Sequence, residues 1–302
     1  MNTSRRDFVI KSGLAVAGTA LLSSNLFSKA TDKQLMGIQL YSIREDMKAN
    51  PLGSLGKVAA MGYEHVEHAN YVDRKFYGYS AKEFKKILKD LGMEMPSGHT
   101  VLNKQHWDSS EKDFTDEWKY LVEDAATVGQ KFVVSPWLDE SLRQNQDDLK
   151  GYMDIFNKCG ELCQTSGMKF GYHNHHFEFI QKLDGITVYD LILQNTDPDL
   201  VIQQLDVGNM LNGGARAVDV INKYHGRFQS MHVKDEIKSQ EGNEEYESTI
   251  LGKGVIGVKE VLDLGRSKGG TIHFIIEQEA YQGKTPMDCI QEDFDQMKKW
   301  GY

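Results

Sequence analysis

Three of the ten histidines lie in one short stretch, Gly167 to Glu178, which reads GMKFGYHNHHFE. Its first half predicts a buried strand, with Phe170 and Tyr172 at alternate positions after a glycine. Because side chains alternate across a strand, we expect His173 and His175 on the opposite face. Two imidazoles on one face at a strand end are typical of a metal site, although each can instead be an ordinary hydrogen-bonded histidine.

Short apolar strands alternate with amphipathic helices in the rest of the chain. The predicted strands are Met36–Tyr41, His65–His68, Glu94–His99, Lys131–Pro136, Lys169–His173, Val201–Asp206, Gln229–Lys234 and Ile272–Glu277. The predicted helices are Ala81–Leu91, Trp118–Val128, Leu149–Thr165, Val188–Gln194, Ala217–Tyr224, Val258–Arg266 and Met287–Lys299. Glycines predicted to end helices in the left-handed conformation are Gly62, Gly92, Gly129, Gly167, Gly226 and Gly269.

This alternation predicts the fold class. Eight strands and the intervening helices over about 270 residues favour a closed (β/α)8 barrel over an open doubly wound sheet. No Gly-x-Gly-x-x-Gly follows the first predicted strand, which removes the main sign of a dinucleotide-binding fold. We therefore expect one α/β domain, a (β/α)8 TIM barrel, over residues 31–302. The polar segment 236–254 is expected to be a loop.

The residues at the predicted strand ends indicate where a metal would bind. Active sites of such barrels lie at the C-terminal ends of the strands. Strands five to eight each end with one metal-ligand residue, namely His173, Asp206, His232 and Glu277. Mixed nitrogen and oxygen donors suit Mn²⁺, Co²⁺, Zn²⁺ or Fe²⁺ better than Ca²⁺. We predict one divalent transition metal at these four residues; the alternative is that the two carboxylates pair with a neighbouring Lys or Arg.

Several motifs resemble those of the xylose-isomerase-like TIM-barrel superfamily of sugar phosphate isomerases and epimerases. The matching segments are Gly37–Ser42 (GIQLYS), Glu67, Leu205–Asn209 (LDVGN), His232–Asp235 (HVKD), Leu251–Ile256 (LGKGVI) and Ile276–Glu277. They span essentially the whole chain after the first 30 residues. In that superfamily strand five usually ends Glu-Asn-His, and its glutamate binds metal and moves a proton. Here the strand ends His173-Asn174-His175, so a histidine stands where that glutamate is expected, whereas Glu277 keeps the position of the second.

The expected chemistry is removal of a proton next to a carbonyl of a sugar or keto-sugar, through an enediolate. Reprotonation would make the protein a sugar isomerase or epimerase. Loss of a β-leaving group would make it a lyase, and some exported members of the superfamily act so on 3-keto-glycosides. A non-catalytic sugar-binding protein is a further alternative, for which no ordered metal set is needed.

Individual residues have expected roles in this chemistry. His175 or Glu277 is the expected proton carrier. Lys234 is expected to reach a substrate oxygen or to pair with Asp206 or Glu277. Glu178 would position a sugar hydroxyl or hold a ligand histidine. Further candidates for substrate binding at the barrel rim are Glu67, His68, His99, Trp137 and Asn209.

The first 30 residues resemble a bacterial twin-arginine export signal. Ser4–Val9 reads SRRDFV, a small apolar run follows over residues 12–22, and Ser28-Lys29-Ala30 offers small residues for cleavage. The alternative is an anchor helix, but the apolar run is short for a membrane span. We expect an exported, periplasmic protein with no stable membrane anchor, and one that can form a homo-oligomer.

The charge balance opposes nucleic acid as a partner. The whole chain has 35 basic and 44 acidic residues, and the part after residue 30 keeps 31 and 43 of them, a net charge near −12. Binding to nucleic acid depends on Lys and Arg that neutralise phosphates. A DNA-repair nuclease on the same fold is therefore disfavoured.

Overall fold

The structure, a computed structural model, describes residues 35–239 and 244–302. The predicted export signal lies outside the described residues. Eight parallel strands close into a barrel in chain order, and the last pairs with the first. They are β1 Leu35–Gln39, β2 His65–His68, β3 Glu94–His99, β4 Phe132–Ser135, β5 Lys169–His173, β6 Val201–Asp206, β7 Ser230–Val233 and β8 His273–Ile276. The predicted (β/α)8 barrel is confirmed, and each strand end lies within two residues of its predicted position.

The helices form a layer around the barrel. They are α1 Arg44–Ala49, α2 Pro51–Met61, α3 Ala81–Asp90, α4 Asp116–Val128, α5 Gln146–Gln164, α6 Phe177–Ile180, α7 Val188–Asn195, α8 Val207–Asn212, α9 Ala217–Lys223, α10 Val258–Leu264 and α11 Pro286–Lys299. Short helical turns occupy Leu40–Ile43, Lys104–His106, Glu140–Leu142 and Gly265–Gly269. No helix in the described part of the chain is long and apolar enough to cross a membrane.

The prediction of a left-handed glycine at a helix end is wrong at one of the six positions. Gly62, Gly92, Gly129, Gly167 and Gly226 have positive φ as predicted, but Gly269 does not. The chain after α10 continues as a π-helical turn to Gly269, so the left-handed residue is Gly270, with φ 81°. The extra turn displaces the helix end by one residue.

Apolar side chains fill two separate parts of the fold. The outward faces of the strands pack against the helices in two large clusters. Inside the barrel, Phe132, Val134 and Ile202 form a small apolar cluster towards the N-terminal ends of the strands. Above this cluster the barrel interior is polar, with Glu67 and Gln204 among its fully buried residues. Buried polar groups need hydrogen-bond partners, so we expect a binding or catalytic site in this polar layer.

Small antiparallel sheets lie in the connections between the barrel strands and the helices. Tyr71–Val72, Lys75–Phe76 and Tyr79–Ser80 form one of three strands after β2. After β7, Asp235–Lys238 pairs with Tyr246–Thr249. The prediction that residues 236–254 form a loop is therefore wrong for these two strands.

Candidate metal and sugar site

A buried glutamate lies at the centre of the polar layer. Glu67 on β2 is fully buried, and its Oε1 lies 2.6 Å from His232 Nε2 and 2.8 Å from Gln39 Nε2. Its Oε2 accepts hydrogen bonds from Ser97 Oγ and from Gln204 Nε2, the latter at 2.8 Å. Burial alone would raise the pKa of Glu67, but His99 and His232 beside it hold that pKa below its usual range. Glu67 is thus an ionised anchor beneath the site.

Gln204 on β6 fixes the tautomers of two histidines. Its amide N–H₂ donates to the Glu67 carboxylate, so its carbonyl Oε1 must face the opposite way. That oxygen lies 2.6 Å from His99 Nε2 and 3.0 Å from His173 Nδ1. A carbonyl only accepts, so both ring nitrogens carry hydrogen. The Nε2 of His173 therefore keeps its lone pair, 3.7 Å from Asp206 Oδ2.

His232 links Glu67 to the remaining predicted ligands. Its Nδ1 lies 2.8 Å from Glu277 Oε2 and 3.8 Å from Asp206 Oδ2. Burial lowers the pKa of His232, but Glu277 and Glu67 together raise it to about 10. If His232 loses its Nδ1 proton, the Nδ1 lone pair faces the carboxylates of Glu277 and Asp206, and the Nε2–H group still donates to Glu67. A histidine held by a carboxylate on its far side is the usual arrangement of a metal ligand.

Lys234 brings a buried positive charge to the same carboxylates. Its side chain is 1% exposed, and Nζ lies 3.1 Å from Asp206 Oδ2, 2.9 Å from Glu277 Oε2 and 2.5 Å from Glu279 Oε2. Burial would lower the pKa of Lys234, but the three carboxylates raise it well above its usual value. In the structure Lys234 therefore pairs with Asp206 and Glu277, which is also the arrangement expected above as the alternative to metal binding by these carboxylates. Lys234 lines the cavity as well, so its contact with a substrate oxygen stays a prediction.

The donor set fits a divalent metal. Among the described residues, Asp206, His232 and Glu277 have ligand atoms within 4.8 Å of one another, as do His99, His173 and His232. Oδ2 of Asp206 is buried and accepts no hydrogen bond, and the cation beside it, Lys234 Nζ at 3.1 Å, is shared with Glu277 and Glu279. One lysine does not balance the charge of three carboxylates, so a further cation at this point would be stabilised. Two carboxylates and two imidazoles match the mixed donors that transition metals prefer.

A cavity of about 640 Å³ opens above this donor set at the C-terminal ends of the strands. The predicted residues that line it are His99, Trp137, His173, His175, Asn209, Lys234 and Glu277. Asp206 and His232 are fully buried below. The structure therefore brings together the predicted metal ligands and three of the six predicted substrate-binding residues, His99, Trp137 and Asn209.

His175 faces the cavity without a hydrogen-bond partner for its buried Nδ1. Its ring lies edge-on to Trp137, with centroids 5.1 Å apart, and is parallel to the ring of Phe177. Burial, followed by the charge of Lys234, lowers the pKa of His175 to about 3. The ring is thus neutral and its Nδ1 is uncommitted.

Three predicted substrate-binding residues, Glu67, His68 and Glu178, do not line the cavity. Glu67 is fully buried in the polar layer below, where His232 and Gln39 hold its carboxylate, so its expected contact with substrate at the rim is corrected. His68 is 2% exposed and packs against the ring of Phe76, because Glu67 before it points into the barrel and His68 must point outward. Its expected contact with substrate is corrected. Glu178 is fully buried, where Oε2 accepts the backbone N–H of His175 at 2.9 Å and Oε1 accepts the hydroxyl of Tyr172. Neither expected role of Glu178 is met, because it holds the backbone of His175 and not a sugar hydroxyl or the ring of a predicted ligand histidine.

Sequence reasoning missed part of the cavity wall. Tyr71 and Val72, from the small sheet after β2, line the cavity, as does Glu279, which follows β8. Gln204 was also missed, although it orients two histidines. The hairpin that carries Tyr71 and Val72 turns at Asp73-Arg74, which both have positive φ in the structure. Tight hairpin turns usually contain Asn-Gly or Asp-Gly, so Asp-Arg gives only a weak sequence signal of this hairpin.

Comparison with known proteins identifies the family. Residues 55–300 match the xylose isomerase-like TIM barrel family. The chain belongs to this family. The predicted superfamily is therefore confirmed, on a match that includes seven of the eight barrel strands.

Curated relatives in this family include inosose dehydratases. The protein of Clostridium perfringens is 26% identical over 196 residues, which are 60% of this chain and 62% of that protein. The protein of Geobacillus thermodenitrificans is 24% identical over 253 residues, 74% of this chain and 80% of that protein. The chain thus spans slightly less than two thirds of the length of the first of these.

Solved structures share the fold. A sugar phosphate isomerase/epimerase from Parabacteroides distasonis is 24% identical, with a TM-score of 0.75 over 91% of this chain and 97% of that one. The IOLI protein, solved with a bound zinc atom, is 14% identical, with a TM-score of 0.68 over 88% of this chain and 97% of that one.

Proposed function

We propose that this protein is a metal-dependent enzyme that removes a proton next to the carbonyl of a sugar or keto-sugar. The observation that carries the proposal is the convergence of His173, Asp206, His232 and Glu277 beneath a cavity lined by the uncommitted His175. These four residues would hold one divalent ion, Mn²⁺, Co²⁺, Zn²⁺ or Fe²⁺. When bound, such an ion supplies a Lewis acid for the oxygen on which negative charge develops.

The residues of the chain have separate tasks in this reaction. His175 is the proton carrier, because its ring lines the cavity. Its Nδ1 is buried and closed to substrate, so Nε2 is the nitrogen that we assign to proton transfer. It takes the proton from the carbon, and the electron pair of the C–H bond becomes an enolate. Glu277 is held by His232 and Lys234, so we assign it to the ligand set rather than to proton transfer.

Isomerisation or epimerisation follows if the enolate is reprotonated, and this is the first candidate reaction. The family membership and the fold shared with a sugar phosphate isomerase/epimerase support it. Elimination is the second candidate: the enolate pair forms a C=C bond, the β carbon–oxygen bond breaks, and the departing oxygen takes a proton. Two observations favour it, the relatives named inosose dehydratases and the histidine at position 173, where a symmetric pair of glutamates is broken.

Metal content tests the site itself. Elemental analysis of the purified protein is expected to give close to one divalent transition metal per chain, and His232→Ala is expected to lose it. His225→Ala, an exposed histidine between α9 and β7, is the matched control and is expected to keep the metal. Retention of metal by His232→Ala contradicts the proposed ligand set.

Product analysis in D₂O separates the reactions. Ketoses and 3-keto-glucosides are incubated with the protein and followed by NMR. Deuterium incorporation without loss of the aglycone indicates isomerisation or epimerisation, whereas release of the aglycone indicates elimination. No incorporation and no release, together with binding and thermal stability unaffected by EDTA, would favour a non-catalytic sugar-binding protein.

Export to the periplasm is part of the proposal and is supported by the sequence of residues 1–30. A variant with Lys in place of both Arg5 and Arg6 is expected to stay in the cytoplasm, whereas the unaltered chain reaches the periplasmic fraction. Equal distribution of the two chains contradicts export by this route. Homo-oligomer formation stays a prediction, which light scattering of the purified protein can test.

A further inference from the structure

A second cavity of about 640 Å³ adjoins the one above the metal ligands. Tyr71, Val72, Thr100 and Val101 line both, so the two cavities share this part of their walls. Each volume alone falls within the roughly 300–1,000 Å³ of a site for one drug-sized ligand. The two together offer more room than a single sugar ring requires.

Exposed apolar side chains concentrate along these two cavities. Seven large hydrophobic residues are exposed in the described part of the chain, and four of them line one cavity or both. These four are Tyr41, Val72, Tyr120 and Trp137. Exposed aromatic rings grouped around a cleft indicate a binding surface for flat or ring-shaped ligands.

The charges around the second cavity exclude an anionic group as its natural occupant. Arg74 lines it, but the guanidinium donates two hydrogen bonds to Asp124, at 2.9 and 3.0 Å, and lies over the ring of Tyr120. Asp73 and Glu117 add negative charge to the wall. A phosphate in this cavity would therefore meet a guanidinium that is already paired with Asp124, and it would be repelled by two carboxylates.

We propose that the second cavity binds a neutral second ring that the substrate carries on its glycosidic oxygen. The substrate class is then a keto-sugar with an aryl or glycosyl group on its glycosidic oxygen, rather than a free or phosphorylated monosaccharide. Such a substrate suits epimerisation or elimination next to the keto group, and not isomerisation through an open chain. The sugar ring lies in the cavity above His232 and Glu277, and the aglycone passes Tyr71 and Val72 to reach Tyr120. This inference rests on the proposed function, because the first cavity must hold the reacting sugar.

Tyr120 is the residue that tests the second cavity. It lies on α4, lines that cavity but not the first, and has no part in the metal or proton-transfer groups. Calorimetric titration of the full metal-loaded protein compares methyl and 4-nitrophenyl glycosides of glucose, galactose and mannose. The unaltered protein is expected to bind at least one nitrophenyl glycoside about tenfold more tightly than its methyl counterpart.

The variants show whether that preference comes from the second cavity. Tyr120→Ala is expected to lose about three- to tenfold in affinity for the nitrophenyl glycoside and nothing for the methyl glycoside. Tyr120→Phe keeps the ring and is expected to keep the preference. Val255→Ala, an exposed apolar residue that lines neither cavity, is the matched control.

Two results overturn the inference. One is that no nitrophenyl glycoside of the three sugars binds more tightly than its methyl counterpart. The other is a preference that Tyr120→Ala leaves unchanged. Metal content and deuterium incorporation report on the proposed function separately. Loss of those signals with an intact nitrophenyl preference would overturn the function and leave the second binding site standing.

Discussion

At the scale of single residues, the buried lysine of the site has the clearest consequence. Lys234 lies between three carboxylates, so Lys234→Met leaves Asp206, Glu277 and Glu279 without their common cation. Removing one partner of a buried ion pair costs about 3–5 kcal/mol. Chemical denaturation in EDTA is expected to show a loss of that size, and added Mn²⁺ or Zn²⁺ is expected to restore more stability to the variant than to the unaltered protein.

Lys253→Met is the control for this experiment. Lys253 pairs with Glu292 at 3.0 Å, but its side chain is 58% exposed, and exposed pairs contribute about 0–1 kcal/mol. Equal losses of unfolding free energy in Lys234→Met and Lys253→Met would contradict a stabilising role of the buried Lys234.

Gln204 is a second residue whose substitution is expected to change metal affinity. Gln204→Leu removes the oxygen that faces His99 and His173 and the N–H₂ that faces Glu67. Metal affinity is expected to fall about 10- to 100-fold, because the ligand His173 loses the partner that sets its tautomer. Competition with a chelator measures this. Gln203, on the outward face of β6, provides the control variant Gln203→Leu, which is expected to leave the affinity unchanged.

At the scale of elements, Asp235 joins the strand after β7 to the segment that returns to α10. Its carboxylate accepts backbone N–H groups from Gly252 at 2.8 Å, Gly254 at 3.0 Å and Ile256 at 3.2 Å. A Cβ added at Gly254 would lie 2.3 Å from Asp235 Oδ1. The close approach of this loop to Asp235 therefore requires glycine at residue 254.

Alanine at two glycines tests this connection. Gly254→Ala is expected to destabilise the protein by about 2–3 kcal/mol, because backbone N–H groups must separate from Asp235. Gly56→Ala, in α2 with no heavy atom within 4 Å of the added Cβ, is expected to be neutral or stabilising by up to about 1 kcal/mol. Denaturant midpoints of the two variants give the comparison, and a smaller loss at residue 254 than at residue 56 would contradict the packing described.

At the scale of the whole molecule, one buried carboxyl makes stability depend on pH. Asp293 on α11 is 1% exposed and accepts the backbone N–H of Leu251 at 2.8 Å. Burial raises its pKa to about 8 in the folded protein, against about 3.9 for an unfolded chain. Between these values the folded state binds the proton more tightly, so this group stabilises the fold at low pH and loses that contribution as pH rises towards 8.

The slope from one such group reaches at most about 1.4 kcal/mol per pH unit. Asp293→Asn is expected to remove it, which urea denaturation at several pH values between 5 and 8 can measure. Asp295→Asn, at an exposed position of the same helix, is the control and should keep the slope. An unchanged slope in Asp293→Asn would contradict the assignment.

The amino-acid sequence was sufficient to predict the barrel and the family, which are confirmed, and to propose a metal-ligand set at the C-terminal rim. Strand periodicity is local, and the closed barrel places all strand ends on one face, so His173, Asp206, His232 and Glu277 followed from their positions along the chain. The sequence also showed that residue 173 is a histidine where the superfamily usually has a glutamate.

The contacts that connect these residues could not be predicted from the sequence. Glu67 and Gln204 orient the histidines across strands that are distant in sequence, Lys234 pairs with three carboxylates at once, and His68 points away from the cavity because its neighbour points in. Tyr120 belongs to a cavity built from three separate segments. Such contacts depend on side-chain direction and on packing between non-adjacent elements, which no local pattern of residues specifies.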